Sequence, residues 1–307
     1  MEKRLRYLTA IESAQRDIEE IPLNEAVKMF LDARSLALSS STIRGYRLEL
    51  GRLMECLPAD TPVCRIGPRQ ILTFLSAYPG CKKTKKNCYL GLSAFWSWCL
   101  QEGYAKEHVV HRLDPPVPDK RVVIPLERYE VSLLLEAARH GTAPERDKAI
   151  LMVLLETGIR ASELCGMKVK DWRMEWLRVF GKGSKERMVH LTASTMEAVG
   201  VYLATRKTDE EDPLFAAKGG EPISRFGLDQ LIERLAKRGK VSNVFPHKFR
   251  HTFAIEYLLN GGDAYTLQDM LGHSTMDMVK RYLGEARRIK AVRVRHEAAS
   301  PVRNWGF

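Results

Sequence analysis

The sequence has no C-x-x-C pair, no Walker loop, no G-x-G-x-x-G fingerprint and no apolar run long enough to cross a bilayer. Each absence closes a class. The six cysteines, at 56, 64, 81, 88, 99 and 165, stand at no metal-ligand spacing with histidine. They read as reduced, mostly buried small side chains in a cytoplasmic protein, with no metal site. Without a glycine-rich phosphate loop, neither nucleotide nor dinucleotide is implied. The longest aliphatic run, AILMVLL at 149–155, falls far short of the ~20 residues a spanning helix needs. MEKRLRYLTA lacks the apolar core of a signal peptide, so no membrane association is expected. Acidic residues are scarce as well: 38 Asp and Glu face 49 Lys and Arg, for a net charge of +11. That excess points to a polyanionic partner. It is shared along the chain, with 17 basic against 12 acidic residues in 1–112 and 32 against 26 in the remainder. Two basic domains gripping one duplex would carry charge in this way.

A length of 307 residues suffices for two domains with proper cores. Residues 1–20 read as a charged leader or short helix. Four helical patterns follow: LNEAVKMFLDARS, SSSTIRGYRLELGRLMECL with serines to cap it, RQILTFLSAY, and a longest one from about Thr84 to Leu100. Lys82, Lys83, Lys85 and Lys86 crowd the start of the fourth helix, where cations oppose the macrodipole unless phosphates sit there. They are candidate DNA contacts, as are Arg44, Arg47 and Arg52. LDPPVPDKRVVIP, at 113–125, has four prolines and little helical pattern, and reads as a stiff linker. The expected division is therefore 1–112, a linker at 113–125, and 126–307. In the second part, helices are predicted near 127–139 and over RDKAILMVLLETG, with Arg160 in the turn before a helix opened by ASEL. Glu163 stands where it could orient an arginine or simply cap that helix. WLRVF and ERMVHL form a hairpin across a turn carrying Lys182 and Lys185.

Near the C-terminus, HKFRHTFAIEYLLNGG and LQDMLGHSTMDMVKRYL supply His247, Arg250, His251, His273 and Tyr282. As a helix, the first run puts His247 and Arg250 on one face of its opening turn, where free backbone N–H groups favour an anion. A short helix stopped at Gly272 follows. Ser274 and Asp277 match a capping box for another helix, with Met276, Val279 and Leu283 as its apolar stripe and Tyr282 beside it. Taken singly, each of these residues is more often structural. Together, arginines that neutralise a phosphate, groups that move protons and a tyrosine that attacks suggest phosphoryl transfer.

TGIRASEL, GKGSKER, HKFRH, LGHS and a tyrosine nine residues after His273 arrive in one order. In these runs the chain resembles the catalytic domain of the tyrosine recombinase (phage-integrase) family. STIRGYRLELGRL and LSAFWSWCLQEGY resemble, more loosely, the same family's small helical core-DNA-binding (SAM-like) domain. The resemblance implies a mainly α fold with a small β-hairpin or sheet, an α+β catalytic domain behind a helical one, together a C-shaped clamp on DNA. It implies Tyr282 as nucleophile, Arg160 and Arg250 on the phosphate, Lys182 as general acid with Lys185 its rival, His247 as general base, and His273 bonded to the phosphate, with His251 secondary. No metal or other cofactor is implied. The implied partner is double-stranded DNA with short core sites, held by four protomers that exchange strands through a Holliday junction. The basic tail, Arg287 to Arg295 with Trp305 and Phe307 beyond, would contact DNA or dock on a neighbouring protomer. Integration or excision of a mobile element is the first reading and Xer-like dimer resolution the second. A type IB topoisomerase and a catalytically silent DNA-binding protein are the competitors.

Overall fold

A computed structural model describes residues 18–58, 60–119, 124–181 and 186–299, with side chains as far as Arg295. The chain divides into two compact units, Met1–Arg121 and Val122–Phe307. The charged stretch 1–17 and the aromatic terminus with Trp305 and Phe307 lie outside the described residues.

The first unit is helical: α1 Leu23–Ser35, α2 Ser40–Cys56, α3 Pro68–Ala77 and α4 Lys82–Glu102. Ser39 opens α2 by accepting a hydrogen bond from the Thr42 backbone N–H at 3.4 Å, which satisfies one of the donors a helix start leaves free. Gly103, left-handed at φ 84°, closes α4. The core forms where Phe30 of α1 meets Phe95 edge-on at 5.5 Å, with Trp98 at 5.7 Å. α4 starts earlier than its apolar pattern suggests, so all four clustered lysines lie within its first turns. Lys82 pairs with Asp119 at 3.0 Å, and the Lys85 ammonium donates to the Ser76 carbonyl at 2.5 Å.

The second unit runs α5 Arg128–Arg139, α6 Pro144–Thr157, α7 Ala161–Cys165, then β1 Trp172–Arg173, β2 Trp176–Phe180 and β3 Glu186–His190. It continues with α8 Ala193–Ala204, α9 Arg225–Arg238, α10 Pro246–Leu259, α11 Ala264–Leu271 and α12 Asp277–Ala299. The fold is thus mainly helical with a small antiparallel sheet in the order β1-β2-β3. Leu177 opposite Val189 fixes the register of β2 and β3. These two and Val179 are buried, while Trp176 and Phe180, on the alternate positions, are exposed. The buried middle of α6, the sheet and helices α8 and α9 share one core, closed by Phe249 of α10.

A second, smaller core ties α10, α11 and α12 together through Phe253, Ile255, Leu267, Leu271, Val279 and Tyr282. Here the structure corrects the sequence reading of the last helix. α12 begins at Asp277, with the Met276 carbonyl accepting the Lys280 N–H at 2.8 Å, instead of at a Ser274 cap. Met276 therefore lies ahead of the helix, and the stripe starts at Val279 and runs through Tyr282 and Ala286. Tyr282 is itself in the core, at 0% exposure. Among the described residues, no helix is long and apolar enough to cross a membrane.

Candidate active site

The site is assembled where α6, α7, α10 and the α11–α12 turn meet. α6 ends at Gly158, left-handed at φ 57°. A Cβ there would fall 2.5 Å from Phe253 Cδ1 and 2.9 Å from Leu271 Cδ2, so only glycine lets the three segments close up. The Gly158 carbonyl then accepts from Arg250 Nη1 at 2.8 Å.

Arg250 is the centre of the arrangement. It is 1% exposed, and its other nitrogen, Nη2, donates to the Leu271 carbonyl at 2.9 Å and to His273 Nε2 at 2.6 Å. No carboxylate among the described residues pairs with it; Glu163 is taken by Arg160 and Arg187. Burial first, and Arg160 second, bring this guanidinium down to about 10, so it still carries its charge at neutral pH. A buried cation that donates to carbonyls and an imidazole, with Tyr282 and Glu163 nearby but no carboxylate paired to it among the described residues, is incompletely compensated.

His273 sits in the turn after Gly272, which closes α11 at φ 62°. Because a guanidinium only donates, His273 Nε2 must accept, and the ring's proton belongs on Nδ1. That Nδ1 is buried without a hydrogen-bond partner among the described residues. Burial, followed by Arg250, Arg160 and Arg187, holds His273 at about 4, so the ring is neutral.

Arg160 caps α7. Its backbone N–H donates to Glu163 Oε2 at 2.8 Å, Nη1 to Glu163 Oε1 at 2.7 Å, and Nη2 to the Gly272 carbonyl at 3.2 Å. Both roles open to Glu163 in the sequence are therefore filled at once. A further arginine, not singled out from the sequence, completes the frame. Arg187 of β3 grips both Glu163 oxygens, at 3.1 and 2.8 Å, and its Nε donates to the Met270 carbonyl at 2.8 Å. Burial alone would raise the Glu163 carboxyl, but these donors outweigh it and leave it below its ordinary value. Arg160, Arg187 and His273 line a cleft of about 680 Å³ together with Gln268, Ser274 and Met278.

The Tyr282 hydroxyl lies 2.9 Å from His251 Nδ1. Burial raises the phenol above its ordinary value even though Arg250 and Arg281 pull it down. Burial, then His247, Arg281 and Arg250, lower His251 to about 4. The ring hydrogen-bonded to the hydroxyl is thus His251, which the sequence reading placed behind His247. His247 is exposed one turn away, its ring 4.4 Å from that of His251. The structure brings together Arg160, Arg250, His273 and Tyr282, with His247 at the edge. Lys182 and Lys185 lie outside the described residues. Arg44 and Arg47 are exposed on α2 of the first unit, and Lys82, Lys83, Lys85 and Lys86 stand at the start of α4. Among the described residues, no group of three or more His, Cys, Asp and Glu could hold a metal ion.

Arg160 and His273 on the cleft, with Arg250 buried against His273 and Tyr282 buried against His251, form a set suited to an oxyanion and the transfer of its phosphorus. Residues 125–288 match the model of the phage integrase family. Tyrosine recombinase XerC of Corynebacterium glutamicum is 32% identical over 250 residues, covering 80% of this chain and 81% of that protein. The chain therefore belongs to the phage integrase family, that of the tyrosine recombinases. Two solved structures share the fold. XerH site-specific recombinase, bound to its palindromic difH substrate in a post-cleavage complex, has a TM-score of 0.76 at 20% identity, over 93% of this chain and 99% of that one. A lambda integrase tetramer bound to a Holliday junction has a TM-score of 0.72 at 19% identity, over 91% and 81%.

Proposed function

We propose that the chain is a site-specific DNA recombinase that breaks and rejoins DNA through a 3′-phosphotyrosyl link at Tyr282. The observation that carries this reading is Arg250, a buried cation without a carboxylate, held against His273 and next to a tyrosine. A phosphodiester entering the cleft supplies the missing negative charge. Arg160 and Arg250 would clamp its non-bridging oxygens, as planar forks suited to a pentacoordinate transition state. His273 would turn its orphan N–H to the phosphate or to a neighbouring oxygen. The Tyr282 oxygen attacks phosphorus and the 5′-oxygen leaves, protonated by Lys182 or its rival Lys185. His247 is the further proton-handling candidate. The covalent link conserves the bond's energy, which hydrolysis would lose.

The partner is double-stranded DNA carrying short core sites, reached in the first unit by Arg44, Arg47 and the lysines at the start of α4. A tetrameric synapse exchanging strands through a Holliday junction is supported by likeness to the lambda integrase assembly. The extent and identity of the XerC match favour an Xer-like recombinase of chromosome or plasmid dimers. Integration or excision of a mobile element is the second reading, and the basic face of α12 from Arg287 to Arg295 would serve either as a DNA contact or as a dock for a neighbouring protomer. A cytoplasmic site of action goes with both.

The test is a covalent adduct. The purified protein is mixed, in EDTA, with a pool of nicked suicide duplexes of randomised core sequence, and adducts are recovered on denaturing gels. Adducts that vanish in Tyr282→Phe, with DNA binding retained, are expected. Tight binding without any adduct would leave a silent DNA-binding protein, and supercoil relaxation by the monomer would leave a topoisomerase. A selected sequence matching one chromosomal site indicates dimer resolution, and one matching the flanks of the chain's own coding sequence indicates a mobile element.

A further inference from the structure

Resting on Tyr282 as the nucleophile, we propose that His251 is the group that takes the proton from its hydroxyl during cleavage and returns it on rejoining. The geometry is direct. His251 Nδ1 is 2.9 Å from the Tyr282 oxygen, within reach for transfer. The two rings pack at 5.5 Å in the small core that fixes α10 against α12, so the contact is built into the fold. The groups facing His251 are His247 and Arg250 on α10 and Arg281 and Tyr282 on α12. Burial first, and then the positive groups among them, keep the imidazole neutral, hence ready to accept. A phosphodiester arriving at Arg250 cancels part of that positive field and makes the same ring more basic when the proton must move.

The step balances without a co-reactant beyond the general acid already named. The Tyr282 O–H proton passes to Nδ1, the Oη–P bond forms, and the P–O5′ bond breaks. The departing electron pair is protonated by Lys182 or its rival. On rejoining, the lysine takes back the 5′-hydroxyl proton as that oxygen attacks phosphorus, the P–Oη bond breaks, and the imidazolium returns its proton to the departing phenolate. His247, stacked edge-on at 4.4 Å, then acts through His251 as a positioning residue.

Single-turnover cleavage of the duplex selected above tests this across pH 5–9. Adduct formation by the wild type, absent in Tyr282→Phe, secures the underlying reading first; its failure would end that reading whatever the histidine variants do. His251→Asn keeps an acceptor near the Nδ1 position but cannot take up a proton. Its cleavage rate is expected to fall by about 10²-fold or more, with DNA binding and melting temperature unchanged and a rate that climbs with pH. His247→Asn should fall much less. Cleavage by His251→Asn within a few-fold of wild type, or an equal or larger loss in His247→Asn, overturns the proposal. If the Asn variant melts early, rescue of His251→Ala by added imidazole decides, and absence of rescue counts against the assignment.

Discussion

Replacing Glu163 by Gln tests the frame that holds Arg160. The carboxylate is 8% exposed and receives the Arg160 backbone N–H, one nitrogen of Arg160 and two of Arg187. An amide of the same shape keeps one acceptor, turns an NH₂ towards donors, and removes the carboxylate charge that pairs with both guanidiniums. Breaking a buried pair from one side costs about 3–5 kcal/mol. For a unit of this size each kcal/mol moves the midpoint by roughly 2–4 °C, so the transition of the second unit should drop by about 6–20 °C. Because the folded carboxyl titrates below its ordinary value, its contribution is whole above the ordinary carboxylate range. It fades as pH falls through the folded value, so wild type and variant should converge in acid. Circular-dichroism melts at pH 7 and near pH 3 measure both effects. Adduct formation should fall alongside, since Arg160 loses the partner that aims it. A variant melting within a degree or two of wild type at pH 7 while cleaving normally would refute the reasoning.

Other substitutions probe separate parts. Gly158→Ala puts a Cβ 2.5 Å from Phe253 at a positive φ. It should cost at least the ~1–3 kcal/mol of an overpacked core, and it should slow cleavage because the carbonyl holding Arg250 moves with it; urea melts and the adduct gel read the two. Lys83→Gln and Lys86→Gln, at the start of α4, should each lower the slope of log affinity against log salt by roughly 0.9. Their rate within the bound complex should be unchanged, and filter binding across a salt series checks this.

Helices with a strong period and a clear stop were legible from sequence. GG after α10 and Gly272 after α11 punctuate the chain, and α4 is legible in its apolar pattern at Leu92, Phe95, Trp96 and Cys99. The start of α12 was misplaced because Ser274 and Asp277 match a cap in form, while the packing of Val279, Tyr282 and Ala286 sets where the helix begins. β1, two residues long, carries no period at all. The tyrosine, both arginines and His273 were recognisable as an ordered set. Arg187 was not, because its bond to Glu163 joins residues 24 apart on different elements, and no local spacing encodes such a pairing. His251 ranked low for a related reason. Helical geometry places it a full turn from His247 and says nothing of which ring α12 will bring its tyrosine against.

Among the described residues no carboxylate forms an ion pair with Arg250, which links binding to folding at this side chain. Its guanidinium stays charged, with the desolvation of a buried ion only partly offset by two carbonyls and a neutral ring. An oxyanion bound beside this guanidinium would complete its compensation, so occupancy and folding would draw on the same free energy. DNA, or even a small oxyanion seated in the cleft, should tighten α6, α10 and the α11–α12 turn together, raising the midpoint of the second unit with ligand concentration as linkage requires. Affinity for the phosphate and rigidity of the fold are, at this one side chain, a single quantity.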